Sequence, residues 1–79
     1  MRLDKYLKVS RLIKRRTVAN EACDAGRVLI NDKPAKASTN VKVDDIITIQ
    51  FGNKDVCVEV INVAETVRKE EASDLFKYI

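Results

Sequence analysis

Histidine and tryptophan are missing from this 79-residue chain, and proline, glycine, cysteine and aromatic residues are scarce: one, two, two and four. Without histidine the commonest general acid–base is unavailable. Gly26 and Gly52 stand too far apart to build a phosphate-cradling or dinucleotide-binding loop. Cys23 and Cys57 have neither C-x-x-C spacing nor enough companions for zinc, so neither a metal nor a cofactor is expected. In a reducing compartment both cysteines stay as thiols. Asp44-Asp45 is an acidic pair, but adjacent carboxylates at a strand entry read as a turn. No apolar run approaches a membrane span, and the basic N-terminus lacks the apolar stretch of a signal peptide. These absences argue against an enzyme and against a membrane partner, and they favour a cytoplasmic location.

What is present is charge, and it is unevenly placed. Seventy-nine residues make one domain, residues 1–79, which buries only about 60% of the surface its unfolded chain exposes. The net charge is +3. Residues 1–36 hold ten cations and four anions, whereas 37–79 hold five cations and eight anions. Between Met1 and Arg16 the contrast is sharper: Arg2, Lys5, Lys8, Arg11, Lys14, Arg15 and Arg16 face the single anion Asp4. Such concentration points to a polyanionic partner.

The cations lie on a folded element. Leu3, Tyr6 and Leu7 fall at helical spacing and define one apolar face. Asp4 suits the first turn of that helix and can pair with Lys8 one turn on. Ser10 to Arg16 connects to a second helix, with Leu12 and Ile13 as anchors and Thr17 as N-cap. In that helix Ala19, Ala22, Cys23 and Gly26 share a face of small residues with Val18 alongside, and Gly26 ends it. Val28-Leu29-Ile30 is a short strand, Asn31-Asp32 a turn, and Lys33-Pro34-Ala35 its continuation. A polar link from Lys36 to Asp45 follows. Ile47, Ile49 and Phe51, then Val56, Val58 and Val60, alternate with polar residues on two strands joined through Gly52-Asn53-Lys54-Asp55. By that parity Cys57 lies on the outer face with Glu59. In Glu65 to Ile79, Ala72, Leu75, Phe76 and Ile79 form a rough helical stripe, which reads either as a short C-terminal helix packing back on the domain or as a segment ordered only on a partner. The fold class is α+β: two N-terminal helices on a small, mostly antiparallel sheet, with residues 1–36 as the basic face.

Packing the two helices gathers their cations outward. Arg27 and Lys33, flanking the first strand, extend the patch. Guanidinium groups hold phosphate in a bidentate fork, so arginines make the fixed contacts. Tyr6 and Phe51 belong to apolar faces, which leaves no row of aromatics for stacking unpaired bases. The face is therefore expected to read the backbone and shape of structured RNA. A rival from another class is a small module whose basic face meets an acidic protein.

Taken in order, Arg2-Leu3-Asp4 with Leu7, Ser10-Arg11, Arg16, Ala19, Gly26, Val28 and Asn31, then Ser38, Val41 and Asp45-Ile46, resemble the S-four (αL) RNA-binding domain. RLDKYLKVSRLIKRRT and the later KEEA (Lys69 to Ala72) are most similar to its small stand-alone bacterial members, typified by RqcP. That resemblance implies a role in ribosome-associated quality control. It implies docking on ribosomal RNA and peptidyl-tRNA of the obstructed large (50S) subunit, beside RqcH, the partner that adds alanine tails to the stalled chain. It singles out Arg2 and Arg16 for RNA contact, and a monomer is expected. A sibling function is rescue of peptidyl-tRNA on free large subunits by heat-shock relatives, which carry a longer basic C-terminal extension where this chain has KEEASDLFKYI. An RNA-modifying enzyme would need an attached catalytic domain.

Two positions depart from that pattern. The family usually has Asn-Gly where this chain has Asn31-Asp32, and Pro-Gly-Asp where it has Val43-Asp44-Asp45. Aspartate tolerates a left-handed backbone less well than glycine, so both turns are expected to be looser or of another type. Asp32 is also expected to weaken phosphate contact beside Lys33.

Overall fold

The computed structural model describes residues 1–65 and 67–79. In chain order it contains α1 (Leu3–Val9), α2 (Arg16–Asp24), β1 (Val28–Ile30), β2 (Lys33–Pro34), β3 (Ile46–Phe51), β4 (Lys54–Val60), a 3-10 helix (Lys69–Leu75) and β5 (Phe76–Tyr78). The strands form one antiparallel sheet in the order β2-β1-β3-β4-β5. This is the expected α+β architecture with two N-terminal helices.

The apolar periodicities decide which faces meet. Leu3, Tyr6 and Leu7 of α1 are fully buried, with Ala19 and Cys23 of α2 beside them. The inward row of the sheet supplies Val28, Ile47, Ile49, Val58 and Val60. Each such side chain of Val or Leu size contributes roughly 1.5–3 kcal/mol when taken out of water. Burial, then the nearby Asp4 and Asp24 charges, push the Cys23 thiol up to about 11, so it behaves as a small core group. Cys57 faces outward as its parity predicts, half-buried, with its Sγ 3.1 Å from the Thr48 hydroxyl. Both cysteines are free thiols.

Helix ends follow backbone accounting. After α2, Gly26 adopts φ +76, its N–H donates to the Cys23 carbonyl, and the Arg27 N–H donates to that of Ala22. These two bonds satisfy carbonyls that the helix itself leaves free. The start of α2 departs from expectation. Arg15, extended at φ −112, takes the N-cap position that was assigned to Thr17, and no side chain caps it. The entry is held instead by Arg16, which reaches back to Asp4 on α1.

The link from Lys36 to Asp45 is less polar in role than in composition. Ala37 and Val41 are buried, and the segment pairs with the N-terminus through an Arg2–Asn40 bridge. The Thr39 and Ala37 carbonyls accept from the Leu3 and Asp4 N–H groups, 2.8 and 3.1 Å. First-turn amides with no partner inside α1 are thereby satisfied.

Three further expectations change. Lys54 and Asp55 join β4, so the hairpin loop shrinks to Gly52-Asn53, with Gly52 at φ +59. Phe51 is 39% exposed, because β3 runs past the end of β1, whose last partner on that side is Ile49. The C-terminal helical stripe holds for Ala72 and Leu75, which are buried in the 3-10 helix. Phe76 then turns to β geometry, and Ile79 is left exposed. The open edge of β4 takes the chain as a strand: Val58 pairs with Tyr78 and Val60 with Phe76. Unsatisfied ladder groups on β4 outweigh a weak local helical preference.

The turns keep the geometry that glycine would give. Asn31 and Asp32 adopt φ +52 and +69, and Asp44 φ +78. Asn31 Oδ1 accepts from the Ile46 N–H at 3.0 Å, and its amide donates to Asp45, which ties the β1–β2 turn to the start of β3. The fold thus imposes left-handed backbone on two aspartates instead of relaxing the turns. Asp44→Gly is expected to raise stability by roughly 0.5 kcal/mol and Asp44→Val to lower it by about 1–2 kcal/mol. Equal urea midpoints for both variants and the parent chain would contradict this account.

Candidate nucleic-acid interface

Asp4 is 2% exposed, yet it carries a charge. Its Oδ1 accepts from the Lys5 N–H at 2.7 Å, Arg2 Nε at 3.2 Å and Arg16 Nη2 at 3.4 Å. Its Oδ2 accepts from Arg2 Nη2 at 3.3 Å and Asn20 Nδ2 at 3.2 Å. Arg2 therefore approaches as a two-pronged fork, the strongest geometry for this pair. Burial pushes the carboxyl up, but hydrogen bonds from Arg2, Asn20 and Arg16 more than offset this and bring it down to about 2. Reciprocally, the bond to Asp4 and its charge raise the Arg2 guanidinium. The expected pairing of Asp4 with Lys8 is not formed. A helix-stabilising role survives in the bond to Lys5 N–H.

Both arginines remain half in solvent, at 50% and 48% of their side-chain surface. Beside them α1, its connection and the start of α2 enclose a shallow groove of about 330 Å³. Lys5, Lys8, Arg11, Lys14 and Arg16 line it, five of the seven cations concentrated in residues 1–16. Glu65 and Val67 close one side, and Glu65 pairs with Lys5. The bond from Lys5 lowers the Glu65 carboxyl. Among the described residues, Lys8, Arg11, Lys14 and Arg15 make no ion pair, so their charge is available to an anion.

Arg11 has φ +64 just beyond α1. A left-handed arginine is uncommon, and here it turns the chain so that Ile13 returns to the core while Arg11 lines the groove. Arg2 does not line the groove but is joined to Arg16, which does, through the Asp4 carboxylate. Arg15, Arg27 and Lys33 are exposed but do not line the groove. Arg27 lines a separate hollow with Val18 and Glu21, and Lys33 stands on the edge strand β2. The patch expected from charge thus divides into a gathered set and three outlying cations.

Sequence reasoning missed Asn20, Asn40 and Glu65 as parts of this surface. The Met1 ammonium donates to Asn40 Oδ1 at 2.7 Å, and with the Arg2–Asn40 bridge it fixes where Arg2 begins. No local pattern marks these residues, because each acts across a long sequence separation. An acid titration tests the carboxylate. Since the folded value lies near 2 and the ordinary one at 3.8, Asp4 stabilises fully above the ordinary value. That contribution, about 2 kcal/mol, is lost as pH falls through the folded value. Asp4→Asn is expected to flatten this acid limb in urea unfolding measured at successive pH values; an unchanged limb would refute the assignment.

Comparison with known proteins gives the family. The model of the S4 domain matches residues 1–47. The "RQC P-site tRNA stabilizing factor" of Halalkalibacterium halodurans is 62% identical over 77 residues, covering 98% of this chain and 88% of that protein. The protein of the same name from Bacillus subtilis is 55% identical over 76 residues, covering 96% of this chain and 88% of its own. Among solved structures, the trimeric Vibrio cholerae Heat Shock Protein 15 superposes with a TM-score of 0.93 at 29% identity, over 100% of this chain and 81% of that one. The chain belongs to the S4 domain family and, within it, to the family of proteins named RQC P-site tRNA stabilizing factor.

Proposed function

We propose that residues 1–79 act as one RNA-binding unit in ribosome-associated quality control, docking on large-subunit ribosomal RNA and on the tRNA held in the P site. The observation that carries this reading is the basic groove. Five cations from two helices and their connection converge there while the apolar sides of both helices are spent on the core. The names of the full-length relatives supply the setting.

Lys5, Lys8, Arg11, Lys14 and Arg16 neutralise phosphates along the groove, with Arg2 as a second fixed fork beyond Asp4. Arg15, Arg27 and Lys33 add long-range attraction. Tyr6 is buried, with its hydroxyl donating to the Leu75 carbonyl at 2.6 Å, so it offers no stacking surface. Recognition therefore proceeds by backbone and shape. The chain works by binding and holding, as a monomer in the cytoplasm. It keeps peptidyl-tRNA in place on an obstructed 50S subunit while the alanine-tailing factor RqcH extends the stalled chain. A second reading, rescue of peptidyl-tRNA on free large subunits, takes support from the likeness to Heat Shock Protein 15. The relatives at 62% and 55% identity outweigh it.

Arg2→Ala and Arg16→Ala are each expected to weaken RNA binding and to reduce the slope of log affinity against log salt by about one. Lys14→Ala, at a residue that makes no ion pair among the described residues, is expected to do the same without affecting stability. The measurement is co-sedimentation with 50S particles across a salt series, with the tRNA and nascent chains in the pellet identified. Unaltered sedimentation of all three variants would remove the groove as the docking face. Recovery of untailed peptidyl-tRNA on free subunits would favour the second reading.

A further inference from the structure

We propose that Asp4 is a positioning residue for RNA recognition. It presets the spacing and direction of the Arg2 and Arg16 guanidiniums before RNA arrives, so that the face prefers folded RNA over unstructured polyanion. This rests on the RNA-binding reading of the basic face.

The two arginines come from different elements, one preceding α1 and one opening α2, yet both reach the same oxygen of Asp4. The carboxylate itself is anchored at both oxygens. The Lys5 N–H holds Oδ1 at 2.7 Å, and Asn20 Nδ2 holds Oδ2 at 3.2 Å. Its side chain is 3% exposed, against 50% and 48% for the arginines. The arrangement is a buried anion with two guanidiniums leaning on it from the solvent side. A guanidinium has five N–H donors. Arg2 spends Nε and Nη2 on Asp4, and Arg16 spends Nη2, which leaves donors on both for a phosphate.

The physical consequence is a trade. Free arginines lose much rotamer freedom on meeting a ligand, and a preset fork has already lost it. A folded RNA, whose phosphates are fixed in space, gains from a matching fixed pair. A flexible single strand can shape itself to any arrangement of cations and gains nothing from it. For that strand Asp4 is merely a negative charge that offsets one of the two arginines. Removing the charge should therefore move the two affinities in opposite directions.

The test uses the full chain and its Asp4→Asn variant, with a tRNA transcript and polyuridine of equal length, titrated across a salt series. The variant is expected to bind the transcript roughly tenfold more weakly, the scale of one well-placed charged contact. It should bind polyuridine at least as tightly as the parent, with no shallower salt slope. Parallel weakening toward both RNAs, or an unchanged ratio, would overturn the proposal. A second measurement needs no variant and decides the matter if Asp4→Asn does not fold. Nuclear magnetic relaxation of the Nε–Hε groups in the free parent chain should show Arg2 and Arg16 more ordered than Arg11, Arg15 and Arg27. Equal disorder in all five would overturn the proposal. A parent chain that binds neither RNA would overturn the RNA-binding reading itself and the proposal with it, a result distinct from a changed ratio in a chain that binds.

Discussion

A buried carboxylate organises the N-terminal half of this protein. Asp4 accepts hydrogen bonds from the first turn of α1, from the residue before it, and from two residues of α2. An unpaired charge at that depth would be strongly destabilising, so the donors are a condition of the fold. The same donors include Arg16, which lines the basic groove, and Arg2. Helix packing and charge placement are thus one constraint, and α2, whose N-terminus no side chain caps, is tied to α1 through its first residue.

From that tie the rest follows outward. With α1 and α2 held together, their apolar faces close on the inner row of the sheet. The connection between them turns Ile13 into the core and leaves Arg11 and Lys14 at the surface. The segment 37–41 pins the N-terminus, and the 3-10 helix covers Tyr6 from the opposite end. Glu65 brings an acidic side chain over the groove and pairs with Lys5. An incoming phosphate must compete with that exposed pair, which screening and side-chain entropy make a weak obstacle.

Much of the fold was legible because local chemistry agreed with the final structure. The spacing of Leu3, Tyr6 and Leu7, the glycine after α2, and the inward row of Ile47, Ile49, Val58 and Val60 all describe faces and ends that form as read. The basic stretch of residues 1–16 forms as read in part: five of its seven cations line one groove, while Arg2 and Arg15 do not. The failures lie where a distant partner overrode a local tendency. Thr17 yielded the helix start to Arg15 because Arg16 had a partner on another helix. Phe76 left its helical stripe because β4 offered an unpaired edge. Asp32 took left-handed backbone in the turn that β1 and β2 fix, and Asp44 did so at the entry to β3, where its N–H donates to the Val60 carbonyl of β4.

The sequence by itself determined the faces of the helices and strands, the sites of the turns, and the density of positive charge along residues 1–16. Those properties depend on neighbours within a few positions, where backbone geometry is set by sterics and periodicity. Only the tertiary structure decided which cations share a groove, which arginines share a carboxylate, and that the C-terminal segment ends as a strand. Those outcomes require groups far apart in the chain to meet at about 3 Å, and no local propensity encodes such a meeting. Asp4 stands on that boundary: its place in the first turn of α1 was readable, whereas its grip on Arg16 existed only once α2 had packed.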